Sequence, residues 1–201
     1  MSNKFSIIII LFLLKTGFSP HHYNGNVYEK WVVERGSSLN IQGETNINNF
    51  QCDVIEYLRT DTLFYISNDQ TKKLWFTNSG LTVDIKQFDC HNKMITRDFK
   101  KALKAERKPV FKIRFLSLDQ FENPCDDQSV KGIVDIGLAD VLKRTEICYT
   151  IKTLPGNRIS LTGSQVFSFS DFNLKTPEKL AGMIRTKDKI KVNFRLLFKA
   201  I

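Results

Sequence analysis

The stretch from Lys189 to Lys199 reads K-I-K-V-N-F-R-L-L-F-K. Ile190, Val192, Phe194, Leu196 and Phe198 lie on one parity, and Lys189, Lys191, Asn193, Arg195 and Lys199 on the other, with Leu197 the exception. Successive side chains of a strand point to opposite faces. The stretch therefore predicts a strand that is apolar on one side and cationic on the other. The same alternation recurs upstream. Phe111, Ile113 and Phe115 oppose Lys112 and Arg114, while Val130, Gly132, Val134 and Ile136 oppose Lys131 and Asp135. Ile147, Tyr149 and Ile151 oppose Cys148, Thr150 and Lys152. After a turn at Pro155-Gly156-Asn157, Ile159, Leu161, Gly163, Phe167 and Phe169 oppose Ser160, Thr162, Ser164 and Ser168. This is the grammar of an antiparallel sheet with one dry face and one wet face.

The first half of the chain is less regular. Strands are predicted over 39–47, 50–58 and 81–85, with weaker candidates at 62–66 and 73–77. Thr96 or Asp98 can cap a short helix that continues to about Glu106 and buries Phe99, Ala102 and Leu103 on one face. Pro109 cannot continue it. So many amphipathic strands must stack as a sandwich or close as a barrel, and strands of eight to ten residues favour closure. The expected fold is all-β: an antiparallel eight-stranded lipocalin-like β-barrel with one short helix, spanning residues 31–201.

The N-terminus reads as an export signal. Lys4 precedes an apolar run from Phe5 to Leu14 broken only by Ser6. That run is short of the ~20 residues a membrane-spanning helix needs and suits a signal-peptide core. Residues 1–19 are expected to be the signal peptide and 20–30 a loose lead-in, with the mature chain periplasmic or secreted. The net charge of +9 favours anionic partners such as lipid head groups or cell-surface polymers, and export disfavours nucleic acid. The four cysteines, Cys52, Cys90, Cys125 and Cys148, suggest two disulfides in an exported chain. Of the three connectivities, Cys52–Cys90 with Cys125–Cys148 joins sheet neighbours close in sequence. With no C-x-x-C spacing, zinc and thioredoxin chemistry find no support.

Catalysis finds little support either. The three histidines are His21 and His22 in the lead-in and His91 beside Cys90, and Asp126-Asp127 read as solvated turn residues. Phosphate-cradling glycine loops and nucleophile elbows do not occur. No cofactor is expected beyond a bound lipid.

The order of several segments resembles the YceI-like family, lipid- and polyisoprenoid-binding proteins of the bacterial envelope. The carriers are S-S-L-N-I-Q-G-E-T-N-I-N-N-F-Q-C at Ser37 to Cys52 and F-D-C-H-N-K-M-I-T-R-D-F-K-K-A-L-K-A at Phe88 to Ala105. Lys108 to Phe115 (K-P-V-F-K-I-R-F) and Asp171 to Phe194 complete the set. The chain departs from the family at Gly137-Leu138-Ala139-Asp140, where a different turn is usual, and around Glu122 to Gln128. The resemblance implies a long apolar cavity that holds an isoprenoid chain such as a quinone or polyprenyl lipid.

On that reading the cavity is lined by Phe111, Ile113, Phe115, Gly132, Val134, Ile136, Tyr149, Ile151, Leu161, Gly163, Phe167, Val192, Phe194 and Leu196, with the two glycines leaving space. The alternative is a filled core with the glycines as bends, in a protein that binds anionic polymers or a membrane surface. A small outer-membrane barrel is a third reading, opposed by the lysine-rich parity. Arg97, Lys100, Lys101, Lys104, Arg107 and Lys108 form either the wet face of a helix or a cationic rim for transient contact with an anionic membrane or a lipid diphosphate.

Overall fold

The computed structural model describes residues 29–54, 57, 59–121, 128–179 and 183–201. The expected signal peptide, His21, His22, Cys125 and Asp126-Asp127 lie outside the described residues. Among the described residues the sheet starts at Glu29.

Thirteen strands occur among the described residues. They are β1 (Glu29–Val33), β2 (Ser38–Thr45), β3 (Asn49–Val54), β4 (Thr62–Asn68), β5 (Lys73–Thr77), β6 (Gly80–Asp84), β7 (Phe88–Asp89), β8 (Val110–Asp119), β9 (Gln128–Leu138), β10 (Val141–Leu154), β11 (Arg158–Ser168), β12 (Glu178–Lys179) and β13 (Ile184–Ala200). Helix α1 (Lys93–Ala102) lies between β7 and β8. Eight strands form a closed ring in the order β1-β4-β5-β8-β9-β10-β11-β13, with β13 pairing back to β1. The expected antiparallel eight-stranded barrel is thus formed, and 62–66 and 73–77 supply β4 and β5 of the ring itself.

Two ring strands are long enough to serve two partners on one edge. β13 pairs β2 from Thr186 to Arg195 and then β1 from Phe198 to Ala200. β8 pairs β6 from Val110 to Arg114 and then β5 from Ser117 to Asp119. The switch on β8 coincides with a bulge between Phe115 and Ser117. A bulge inserts one residue and reverses the parity beyond it. Phe115 and Leu118 therefore both point inward, at 3% and 1% exposure, although they differ in parity. One end of the barrel is walled by β1, β4 and β5, and the other by β2, β3, β7 and β6. At that second end the chain runs from β6 into β7 through a 3-10 turn, Ile85–Gln87, tied to the residue before β8 by Ile85 N–H donating to Pro109 O at 2.7 Å.

At the first end the interior is filled beneath an open depression of about 650 Å³ whose lining mixes Glu29, Asp69, Lys72 and Gln120 with Tyr65 and Phe121. Trp31 stands at the centre of an aromatic cluster with Tyr65, Phe76, Phe121 and Phe198, at centroid distances of 5.0 to 6.1 Å. Leu63, Leu118, Ile151, Leu161 and Phe198 around it are at most 1% exposed. Each such side chain contributes about 1.5–3 kcal/mol by leaving water. Leu197, the exception in the alternation of β13, points out of the barrel and is still buried. The turn after β1 crosses over it: Glu34 N–H donates to Leu197 O at 2.8 Å, and Leu197 N–H donates to Ser37 Oγ at 3.0 Å.

Helix α1 starts three residues or more before either expected cap. Asn92 accepts hydrogen bonds from Met94 and Ile95 N–H through its side chain. The helix also ends earlier than expected, because Lys104 takes a left-handed φ of 57°. Cys52 and Cys90 form the expected disulfide, joining β3 to the loop before α1. Cys148 is a free thiol among the described residues, and Cys125, its expected partner, lies outside them. Cys148 sits on the outward parity of β10, opposite Lys131 of β9.

Two stability predictions follow from these contacts. The Cys52–Cys90 bridge spans 38 residues, so the loop-entropy relation assigns it about 4 kcal/mol. The double variant Cys52→Ala/Cys90→Ala should lose 2–4 kcal/mol in guanidinium unfolding. On the outer face, Asp135 is held between Arg144, whose Nε donates at 2.8 Å, and Arg114, facing it from β10 and β8. These guanidiniums, Arg144 foremost, draw its carboxyl down to about 2 against burial. A depressed carboxyl stabilises the fold above its unfolded value of 3.8 and loses that contribution as pH falls towards about 2. The stability gap between wild type and Asp135→Asn should therefore be constant above pH 4 and close between pH 4 and pH 2.

Candidate functional site

The second end of the barrel is hollow. An apolar cavity of about 110 Å³ runs between β2, β6, β8, β9, β10, β11 and β13. Of the residues expected from sequence, Phe111, Ile113, Phe115, Ile136, Tyr149, Phe167, Val192, Phe194 and Leu196 line it. Phe111, Ile113, Val192 and Phe194 point inward yet are only partly buried. Space beside them is unfilled by protein, which separates this end from a close-packed core.

Five expected lining residues do not line it. Val134, Ile151 and Leu161 are fully enclosed by neighbouring side chains, on or beside the aromatic floor. Gly132 and Gly163 do not leave room for a ligand. A Cβ on Gly132 would come within 2.8 Å of the Tyr149 ring, and one on Gly163 within 2.6 Å of the Phe194 ring. In each case an aromatic ring from another inward-facing residue covers the glycine, the arrangement by which sheets shield such positions. Tyr149 and Phe194 themselves meet edge to face at 5.5 Å.

The first half of the chain supplies further walls, only some of which alternation reveals. Ile41 and Val54 come from β2 and β3, Val83 from β6, Phe88 from β7 and Leu103 from the end of α1. Phe169 and Phe172 enter from the 3-10 turn after β11, which Lys143 of β10 holds through Asp171. Ile41 lay on a recognisable alternation. Leu103 lies on the helical period that also buries Phe99, whereas Phe88 and Phe172 sit in a two-residue strand and a 3-10 turn, where no period exists to read.

The expected basic rim is placed elsewhere. None of Arg97, Lys100, Lys101, Lys104, Arg107 and Lys108 lines the cavity. Arg97, Lys100 and Lys101 line a surface groove on α1 together with Lys93, Asp89, Asp98 and Glu106. Lys108 pairs with Asp140 at 2.6 Å. The helical period explains this. Phe99 and Leu103 occupy the buried face, so the cations between them are carried outward.

The cavity lining holds neither a carboxylate nor a cation. Its titratable groups are two phenols. Tyr57 donates to Asp61, and burial together with that carboxylate pushes its phenol up. Burial alone pushes the Tyr149 phenol up. Ser37, at the inner wall, donates to Glu34 O at 2.9 Å. An ionised head group inside would find no countercharge and would cost several kcal/mol of desolvation. His91 faces Asp53 at 2.7 Å on the exterior, and no group of three metal-binding side chains occurs among the described residues.

Geometry and lining define the class: a closed antiparallel barrel, solid at one end and apolar and hollow at the other. Solved structures share this architecture. A polyisoprenoid binding domain from Saccharophagus degradans, implicated in plant cell wall breakdown, superposes with a TM-score of 0.60 at 12% identity, over 85% of this chain and 98% of that one. BcnA from Burkholderia cenocepacia superposes with a TM-score of 0.55 at 13% identity, over 80% of this chain and 95% of that one. A mutant CJ YCEI protein matches at a TM-score of 0.50 and 15% identity, over 67% and 78% of the two chains. Neither a family model nor a curated protein matches the sequence. The fold is the YceI-like barrel.

Gly163→Ala tests the ring-over-glycine arrangement. The added methyl should displace the Phe194 ring into the cavity and cost about 1–3 kcal/mol of stability. Thermal melts and a crystal structure of the variant would read both effects.

Proposed function

We propose that this protein binds and carries an apolar isoprenoid lipid or quinone inside the barrel, without chemistry. The observation that carries the reading is the hollow end, whose inward residues are apolar and partly unburied. Affinity would come from burying CH2 groups at about 0.8 kcal/mol each, less the cost of ordering the chain. The cavity is smaller than the ~300 Å³ at which ligand pockets usually begin. A long chain would therefore enter by turning the half-buried Phe111 and Phe194 rings aside. The likeness to a polyisoprenoid binding domain supports the same ligand class. We place the mature protein in the periplasm or outside the cell. The apolar run Phe5 to Leu14 and the Cys52–Cys90 disulfide support export, since disulfides persist in oxidising compartments. The cations on the outer face of α1 would serve transient contact with an anionic membrane during loading.

Native mass spectrometry of the purified mature protein, followed by organic extraction, tests the reading. A co-purifying apolar compound at near-stoichiometric yield is expected, and Phe194→Asp should abolish it in a folded protein. An apo mass that persists after incubation with quinones and polyprenyl lipids would refute the carrier and favour a protein that binds anionic surfaces.

A further inference from the structure

The cavity floor holds one polar group that the protein does not satisfy. Tyr149 is 3% exposed and lines the cavity where the solid end begins. Its neighbours are the Phe194 ring, the Leu118 side chain and Gly132. No described residue bonds its hydroxyl, although Ser37 and Tyr57, two of the other polar residues in the lining, both have partners. Nor is that hydroxyl sealed in protein. The fully enclosed and unpaired side-chain atoms among the described residues are Trp31 Nε1 and Thr153 Oγ1, so the phenol oxygen still meets free space. Buried tyrosine hydroxyls ordinarily find a partner, and one left without is an exception that calls for a cause. Eight residues of β10 separate Tyr149 from Val141 at the hollow end, about 25 Å along the strand.

We infer that the Tyr149 phenol is the anchor for the inner end of the ligand, donating a hydrogen bond to a neutral oxygen such as a ketone or quinone carbonyl. The inference rests on the carrier reading and deepens it. It assigns an orientation, oxygen inward and chain towards the turn between β9 and β10. It also assigns a chemical class. With no cation in the lining, a diphosphate or carboxylate cannot take the inner position. A neutral acceptor can, because a phenol whose ionisation burial opposes stays a donor.

The test compares wild type and Tyr149→Phe with two branched probes, the ketone phytone and the hydrocarbon phytane. Binding is read by displacement of a fluorescent apolar dye. Tyr149→Phe should weaken phytone about tenfold, equivalent to 1.4 kcal/mol, and leave phytane unchanged. The infrared carbonyl band of bound phytone should shift to lower frequency in wild type and return in the variant. A thermal midpoint at or above wild type would show that the variant folds. Equal phytone affinity in the two proteins, with no carbonyl shift, would overturn the anchor while leaving the carrier reading intact. An equal loss of both probes would assign Tyr149 to cavity shape and also overturn the anchor. Failure of wild type to bind either probe would overturn the carrier reading and this inference with it.

Discussion

The structure depends on two strands that each serve two partners along one edge. β13 gives its first part to β2 and its last part to β1, and β8 gives its first part to β6 and its last to β5. Backbone donors and acceptors must be paired wherever water is excluded. A strand that outruns one neighbour must therefore find another or end. Because both long strands change partner partway along, the barrel is built from two different walls, and its two ends are free to differ.

They differ in what fills them. At the end walled by β1, β4 and β5, Trp31 and its ring neighbours occupy the bore, and the aliphatic residues around them lose nearly all contact with water. At the other end the wall includes short strands, a 3-10 turn and the end of α1, and the side chains they turn inward leave an apolar cavity between them. The glycines do not create that space. Gly132 and Gly163 are covered by the rings of Tyr149 and Phe194, as Gly43 on β2 is covered by Phe50. Outside, ion pairs across the ladder, such as Arg114 and Arg144 on Asp135, dress the same strands whose inner faces are apolar.

The chemistry of the site follows from this division. A lining without fixed charge selects for neutral, apolar cargo by the cost of stranding an ion, and not by any attraction particular to one lipid. The positive charge that composition displays is spent on the exterior, on α1 and on cross-strand pairs. Recognition inside the barrel thus rests on shape, on burial and on the few hydroxyls at the inner wall.

Alternation in the second half of the chain determined the antiparallel sheet, its inward parity and nine of the residues that line the cavity, because the two-residue period of a strand is a local property. The Cys52–Cys90 bridge was legible for a similar reason, since β3 and β7 are near in sequence and pair. Tertiary structure alone decided which inward residues meet a cavity and which meet one another. Val134 and Ile136 share a strand and a parity, yet the first is sealed in protein and the second faces open space. It also decided the burial of Leu197, which rests on a turn some 160 residues distant, and the inward reach of Leu118, which rests on a bulge. These depend on where distant segments cross, and a period records which face a side chain takes but not what stands opposite it.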